Sequence, residues 1–134
     1  MAANALDVQL PCSAYAVWHD RAVFHFITAR RDRARYVSRV RHAVRPHGYV
    51  IVASFSPEGP PKCSGLDVVR YSPEGMHAEF GQGFRLLSSV RENHPTPSGR
   101  IQAFVYCLGR IEGETPRYVR DEKPSPMLLR WTRG

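Results

Sequence analysis

The sequence predicts an α/β domain in which a parallel strand–helix–strand unit is followed by an antiparallel hairpin. Two short apolar runs, residues 14–19 and 49–55, flank an amphipathic stretch, which is the pattern of a βαβ crossover. Two further apolar runs, residues 84–92 and 101–109, surround a turn that contains Pro and Gly, which is the pattern of a hairpin. With 134 residues, the chain is long enough for one domain with an ordinary core.

The crossover is predicted from three consecutive segments. Residues 14–19 are apolar on both faces, as in a buried parallel strand. Residues 32–45 follow as an amphipathic helix, and Pro46-His47-Gly48 ends it. Residues 49–55 are β-branched and apolar, so they predict a second buried strand. The apolar stripe of the predicted helix consists of Ala34, Val37, Val40 and Val44.

A loop and a short helix are predicted between the crossover and the hairpin. Residues 56–66 contain three prolines and two glycines, which indicates a loop beyond the end of the second strand. Ser72 and Pro73 are residue types that start helices, and Gly81 is one that ends them. The sequence therefore predicts a short helix between Ser72 and Gly81.

The apolar pattern stops after Arg110. The remaining residues mix Glu, Arg, Pro and Gly, with few apolar anchors. We therefore expect one domain over residues 1–110 and a flexible tail or docking segment over residues 111–134.

The chain is basic, with a formal charge of +7 that comes almost wholly from arginine. Such a balance is compatible with anionic partners, including nucleic acids. The arginines of residues 30–45, however, are spread around a helix whose apolar stripe must be buried, and no aromatic stacking motif accompanies them. A solvated helix face explains them better, and binding to nucleic acid is the weakest of three functional hypotheses.

The three cysteines, Cys12, Cys63 and Cys107, are far apart and odd in number, and none has the spacing of metal ligands. This usage favours reduced thiols over a disulfide framework or a metal site. The sequence contains no apolar run long enough to span a membrane, and its N-terminus lacks the pattern of a signal peptide. We therefore expect a cytoplasmic protein that does not contact the membrane.

Four segments resemble the second half of the class I methyltransferases that depend on S-adenosylmethionine (SAM). They are VWHDRAVFHF, RYVSRVRHAVRPHGYVIVASF, GPPKCSGLDVVRYS and HPTPSGRIQAFVYC, in the family's order between Asp7 and Arg110. The resemblance implies a partial Rossmann-like sheet whose strands are equivalent to the family's fourth, fifth, sixth and seventh. The Trp-x-Asp-Arg pattern of residues 18–21 is similar to that of the thiopurine-methyltransferase-like branch.

The family's Gly-rich cofactor loop and its ribose-binding acidic residue have no counterpart in this sequence. Gly81-Gln82-Gly83 is the only Gly-x-Gly, and it precedes a predicted strand instead of opening a helix. The family's Pro-Gly-Gly turn is Pro46-His47-Gly48 here. The resemblance implies that the family's first three strands are missing, which would leave the strand at residues 14–19 as an open sheet edge.

Ligands of open α/β sheets bind beyond the carboxyl ends of the parallel strands, where residues 19–21 are predicted to lie. Asp20 and His19 are the candidate catalytic residues, because either side chain can accept the proton of a methyl acceptor. Arg21 is a candidate contact for an anionic group of the substrate. By resemblance, Asp7 meets the adenine amino group of SAM, and Trp18 forms part of the wall of the cofactor site.

By resemblance, the loop after the second strand contacts the substrate, through Ser64, Arg70 and Tyr71. The residues of segment 18–21 taken alone leave a structural alternative open. In that alternative the Trp belongs to the core, the His bonds to the backbone, and the Asp and Arg form a surface ion pair.

Two further hypotheses therefore stand beside nucleic-acid binding. The first is a SAM-dependent methyltransferase polypeptide that acts on an unidentified small-molecule acceptor and lacks its own Gly-rich cofactor loop. The second is a non-catalytic methyltransferase remnant, an interaction module whose open sheet edge pairs with a second copy or with a companion chain.

Overall fold

Residues 6–112 and 127–132 are described by the structure, which is a computed structural model. Helices and strands alternate along the first part of the chain, and strands dominate the second. The elements are β1 (Tyr15–Arg21), a 3-10 turn (Phe24–Phe26), α1 (Arg30–Ala43), β2 (Val44–Phe55), β3 (Lys62–Cys63), β4 (Leu66–Asp67), α2 (Pro73–Phe80), β5 (Phe84–Pro95), β6 (Ile101–Ile111) and β7 (Met127–Thr132).

Five of the strands form one sheet in the order β5-β6-β2-β1-β7. β1 is parallel to both β2 and β7, whereas β6 is antiparallel to β2 and to β5. β3 and β4 form a separate two-stranded ribbon in the loop after β2. The structure confirms the predicted α/β fold, with its parallel crossover and its C-terminal hairpin.

Of the flexible tail or docking segment expected after Arg110, residues 127–132 form a docked strand, β7. This strand runs beside β1, with Tyr15 opposite Met127 and Asp20 opposite Trp131. Trp131 is only 2% exposed, and its ring lies 5.5 Å from that of Trp18. β1 is therefore an interior strand, so the predicted open edge at β1 is wrong. The rest of the predicted tail, residues 113–126 and 133–134, lies outside the described part of the chain.

The main core lies on one face of the sheet, here called the helix face. Trp18, Val50 and Val52 point to this face, where they form one cluster with buried residues of α1 and α2. A smaller cluster occupies the opposite face near the carboxyl end of β2, around Phe55 and Phe104. The loop after β2 covers this second cluster through Cys63 and Val68.

α1 begins two residues earlier than predicted and buries a different stripe. Its buried side chains are Tyr36, Val37, Val40 and Ala43, whereas Ala34 is exposed. The polar side of the helix is not simply solvated, because it binds the segment before β1. Arg35 contacts Asp7 at 3.2 Å, Arg39 donates to the Val8 carbonyl at 2.9 Å, and His42 Nε2 lies 3.0 Å from the Leu10 carbonyl.

α2 has the predicted ends. The Ser72 hydroxyl accepts a hydrogen bond from the Gly75 N–H at 3.1 Å, and Gly81 follows the helix with φ of 76°. Arg41 of α1 holds the other end, since its guanidinium donates to the carbonyls of Phe80 and Gln82. The two helices are thereby joined at their carboxyl ends.

Candidate functional site

The candidate residues 18–21 point alternately to the two faces of the sheet. Trp18 and Asp20 are fully buried on the helix face, whereas His19 and Arg21 are partly exposed on the opposite face. Side chains of consecutive strand residues always alternate in this way. The segment predicted as one site therefore divides into a buried pair and an accessible pair.

Asp20 fixes the turn that leaves β1. Its carboxylate accepts the backbone N–H groups of Val23 and Phe24, each at 2.9 Å, and the hydroxyl of Tyr36. Burial raises the pKa of Asp20 to about 7, and the hydrogen bonds from Tyr36, Val23 and Phe24 oppose this rise. The predicted role of Asp20 as a base stays a prediction, because its oxygens face these protein donors and not solvent.

Tyr36 connects Asp20 with Trp18. The Trp18 indole N–H donates to the Tyr36 oxygen at 2.9 Å, and Tyr36 donates in turn to Asp20. Burial, followed by the charge of Asp20, raises the pKa of Tyr36 well above its ordinary value. Sequence reasoning missed Tyr36, although its helical spacing from Val40 and Ala43 is a signal that it belongs to the buried stripe. Trp18 belongs to the core, as the structural alternative predicted.

The accessible pair meets partners from neighbouring strands. His19 Nδ1 accepts a hydrogen bond from Arg130 Nε at 3.1 Å. Burial, together with the charges of Arg130 and Arg21, lowers the pKa of His19. Arg21 Nε donates to the Tyr106 hydroxyl at 3.1 Å, and the guanidinium lies 4.9 Å from the centre of the Phe104 ring. Asp20 and Arg21 point to opposite faces of the sheet, so the ion pair between them that the structural alternative predicted does not form.

A cavity of about 260 Å³ lies where the loop after β2 meets the hairpin. It contains an acidic and a basic side chain, since Arg91 and Glu58 approach each other to 3.7 Å. Arg91 and Ala103 share the face of Val105, which is the helix face, whereas Arg21 rests on the Phe104 ring on the opposite face. The lining suits a small polar molecule, and consists of Ser56, Glu58, Arg91, Asn93, Ala103 and Phe104.

The three residues predicted in the loop after β2 do not come together at this cavity. Ser64 is exposed at the tip of the β3–β4 ribbon, with φ of 51°. Arg70 donates to the carbonyls of Pro57 and Gly59 and so braces the loop. Tyr71 is 4% exposed and packs on Phe24. Their predicted contacts with a substrate stay predictions, and of the three only Ser64 and Arg70 have exposed surface.

His25 ties the 3-10 turn to the end of β2. It is fully buried, and its Nδ1 accepts the Phe55 N–H at 3.2 Å, while its carbonyl accepts the Val69 N–H at 2.7 Å. Burial lowers the pKa of His25 to about 4, so the ring is neutral at pH 7. A neutral ring is required here, because Nδ1 must remain an acceptor.

The residues predicted to bind SAM fit only part of that cofactor. The Asp7 side chain is 68% exposed and could meet an adenine amino group, although it now contacts Arg35. Trp18 has no exposed surface to offer. No Gly-rich loop follows β1 or β2. We therefore derive no chemical step through SAM.

Neither a metal-binding cluster nor a membrane-spanning helix occurs within residues 6–112 and 127–132. No cluster of three or more His, Cys, Asp or Glu side chains there is arranged to hold a metal ion. Neither helix, over the same residues, has the length and apolar character needed to span a membrane. All three cysteines are free thiols, with Cys107 buried.

Comparison by sequence finds no match, either among protein-family models or among curated proteins. Comparison by structure finds SAM-dependent methyltransferases. One from Methanosarcina mazei has a TM-score of 0.67 at 10% identity, over 84% of this chain and 66% of that protein. N-methyltransferase NodS from Bradyrhizobium japonicum, in complex with S-adenosylhomocysteine, has a TM-score of 0.62 at 9% identity, over 83% of this chain and 53% of that protein.

A third similar structure is the 1,6-didemethyltoxoflavin-N1-methyltransferase of Burkholderia thailandensis, with 1,6-didemethyltoxoflavin and S-adenosylhomocysteine bound. Its TM-score is 0.63 at 16% identity, over 84% of this chain and 50% of that protein. The chain thus spans between half and two thirds of the length of these three structures. Together they show that the chain has part of the Rossmann-like fold of class I SAM-dependent methyltransferases.

Proposed function

We propose that this chain is part of a SAM-dependent methyltransferase and acts on a small-molecule acceptor. The observation that carries the proposal is the strand order β5-β6-β2-β1, with one parallel pair and an antiparallel hairpin, in a fold similar to solved methyltransferases. The chain would contribute the portion equivalent to the family's fourth to seventh strands. The Trp-x-Asp-Arg segment supports the thiopurine-methyltransferase-like branch, and the free cysteines support a cytoplasmic location.

In this proposal the acceptor binds on the face of the sheet opposite the helices, at the accessible side chains of His19 and Arg21. Arg21 would hold an anionic group of the acceptor, because its guanidinium is partly exposed on this face beside the Phe104 ring. His19 would accept the acceptor's proton at Nδ1, which is the basic nitrogen of the neutral ring, and the Arg130 hydrogen bond to Nδ1 would have to open first. Asp20 would position both residues by holding the turn after β1, and could accept a proton itself only if that turn opened.

SAM, when bound, supplies an electrophilic methyl group on its sulfonium. Asp7 is the residue of this chain that we propose for the adenine amino group, because its carboxylate is exposed beside α1. The remainder of the cofactor would be bound by groups outside the described residues, including those of a companion chain.

The second candidate function is a non-catalytic interaction module. It is favoured by the full burial of Trp18 and Asp20, which leaves two predicted site residues without access to ligands. Such a module would pair with a second copy or a companion chain through a free sheet edge.

Calorimetric titration of the 134-residue chain with S-adenosylhomocysteine tests the proposal. We expect weak binding with slight protection against thermal unfolding, because the described residues supply only the contact to the adenine amino group. Asp7→Asn should weaken that binding, whereas Asp67→Asn is the matched control, because Asp67 is a comparably exposed aspartate in β4. The absence of both heat and thermal protection would contradict cofactor binding by this chain and favour the interaction module.

A further inference from the structure

The outer edge of β5 is exposed over most of its length. Residues 87–93 are seven consecutive exposed residues, among them Leu87 at 42% and Val90 at 62%. β6 pairs with one edge of β5, and no strand of residues 6–112 or 127–132 pairs with the other. The unpaired N–H and C=O groups of such an edge are a template for another strand.

We propose that a second copy of this chain pairs with the outer edge of β5, antiparallel, and joins the two five-stranded sheets into one. This inference goes beyond the methyltransferase proposal and does not depend on it. The argument for a second copy, as opposed to another partner, is the self-complementary sequence of β5.

A β-bulge determines which registers are possible. Leu86 pairs with Gly109 of β6 and Ser88 pairs with Leu108, so Leu87 is an extra residue without a partner on β6. The bulge reverses the alternation of side chains, so that odd-numbered residues before it share a face with even-numbered residues after it. Arg85 pairs with Arg110 of β6 and Glu92 pairs with Phe104. Because β6 is regular and these two partners share a face, Arg85 and Glu92 point to that same face.

One two-fold register agrees with this alternation throughout. With the axis at Ser89, Ser88 lies opposite Val90 of the second copy, and Leu86 lies opposite Arg91. Arg85 then lies opposite Glu92, and this pair occurs twice because of the symmetry. Every cross-strand pair shares a face, which a continuous antiparallel sheet requires.

Charge complementarity favours this register. In the single chain, Arg85 lies directly opposite Arg110 of β6, and like charges in that position destabilise a sheet. Neither Arg85 nor Glu92 has an ion pair with any described residue of its own chain. Glu92 of the second copy would place a carboxylate beside two guanidinium groups. Charged residues on an edge strand normally discourage pairing, but here the signs match.

Sedimentation equilibrium of the full chain at increasing concentration tests the proposal. We expect the wild-type chain to dimerise. Arg85→Glu and Glu92→Arg should each weaken dimerisation about tenfold, because each reversal replaces two attractive pairs by two repulsive ones. The double variant R85E/E92R should restore dimerisation, since it exchanges the two signs without changing their complementarity.

Arg31→Glu is the matched control, because it makes the same charge change at an exposed position of α1. This variant should dimerise like the wild-type chain. Circular dichroism verifies that each variant is folded. A wild-type chain that stays monomeric would overturn the proposal. So would a dimer that is indifferent to the single reversals, since such a dimer would use another surface, or a double variant that fails to recover.

Discussion

Asp20 and His25 are both buried near the turn that follows β1, but their protonation affects stability in opposite directions. Burial raises the pKa of Asp20 to about 7 from its ordinary 3.8, so the folded protein holds a proton that the unfolded chain has released. Stability therefore falls as the pH rises through this interval. Burial lowers the pKa of His25 from 6.5 to about 4, so between these pH values the unfolded chain holds a proton that the folded protein lacks. This second effect makes stability rise with pH over its own interval.

We predict that single substitutions separate these two effects. Between about pH 4 and 6.5, the stability of Asp20→Asn should rise with pH, because the opposing effect of Asp20 is removed and the lowered pKa values of His25 and His19 both act in this direction. The stability of His25→Asn should fall with pH over the same interval, and the Asn oxygen can still accept the Phe55 N–H. Urea denaturation at steps of pH measures both slopes. Two variants that keep the slope of the wild-type chain would contradict the assignment.

At the candidate site, the sequence predicts where the residues lie but not which groups they contact. The position of residues 19–21 at the end of a parallel strand was predictable from the apolar run before them. The partners of Asp20 were not, because the N–H groups of Val23 and Phe24 are directed by a turn whose first residue, Ala22, has φ of 63°. A left-handed alanine has no signature in the sequence.

At the scale of elements, the turn within β2 shows two neighbouring residues under different constraints. His47 has φ of 64°, a left-handed conformation that favours glycine. Gly48 is needed for space, because a Cβ there would lie 2.5 Å from Val44 Cγ1 and 3.0 Å from the Ala16 carbonyl. The position of His47 thus accepts a side chain at some cost, whereas the position of Gly48 does not.

We therefore predict opposite effects from two exchanges at this turn. His47→Gly should stabilise the protein by about 0.5 to 1 kcal/mol, since relief of the left-handed backbone exceeds the added entropy of the unfolded chain. Gly48→Ala should destabilise it by about 1 to 3 kcal/mol, because β1 and β2 must move apart. Thermal and urea unfolding of the two variants measure these effects. Changes of the same sign in the free energy of unfolding of the two variants would show that the turn is not constrained in this way.

The helices were predictable from their ends and their spacing, but only approximately. Ser72 and Gly81 bound α2 as expected, because caps depend on local chemistry. α1 was displaced by two residues and lost Ala34 from its stripe, because packing between Tyr36 and Trp18 decides which side faces the sheet. Tertiary contacts of that kind have no local signal.

At the scale of the whole molecule, β7 is the element that the sequence did not reveal. Four of the six residues of Met127–Thr132 are apolar, which indicates a docking segment but does not specify a strand. Trp131 anchors the segment against Trp18. The parallel crossover and the hairpin were predictable, because each is built from neighbouring segments with strong apolar patterns.

The docking of β7 predicts a large effect of one substitution beside the buried pair of Trp18 and Asp20. Trp131→Ala should destabilise the protein by about 3 to 5 kcal/mol, because it removes a fully packed indole. Trp131→Phe should cost less, since an aromatic ring remains against Trp18. Equilibrium unfolding in urea measures both. A change within about 0.5 kcal/mol for the alanine variant, as expected for a surface position, would show that this segment does not dock.

The partnership of β1 and β7 also constrains the order in which the fold forms. His19 and Arg130 touch although 111 positions separate them, whereas the hairpin strands are joined by a short turn. Contacts so distant in sequence form slowly, because a long loop must close first. During translation, β1 therefore keeps one unpaired edge until residues 127–132 leave the ribosome. A chain arrested before that point exposes an apolar strand to which other nascent chains can pair.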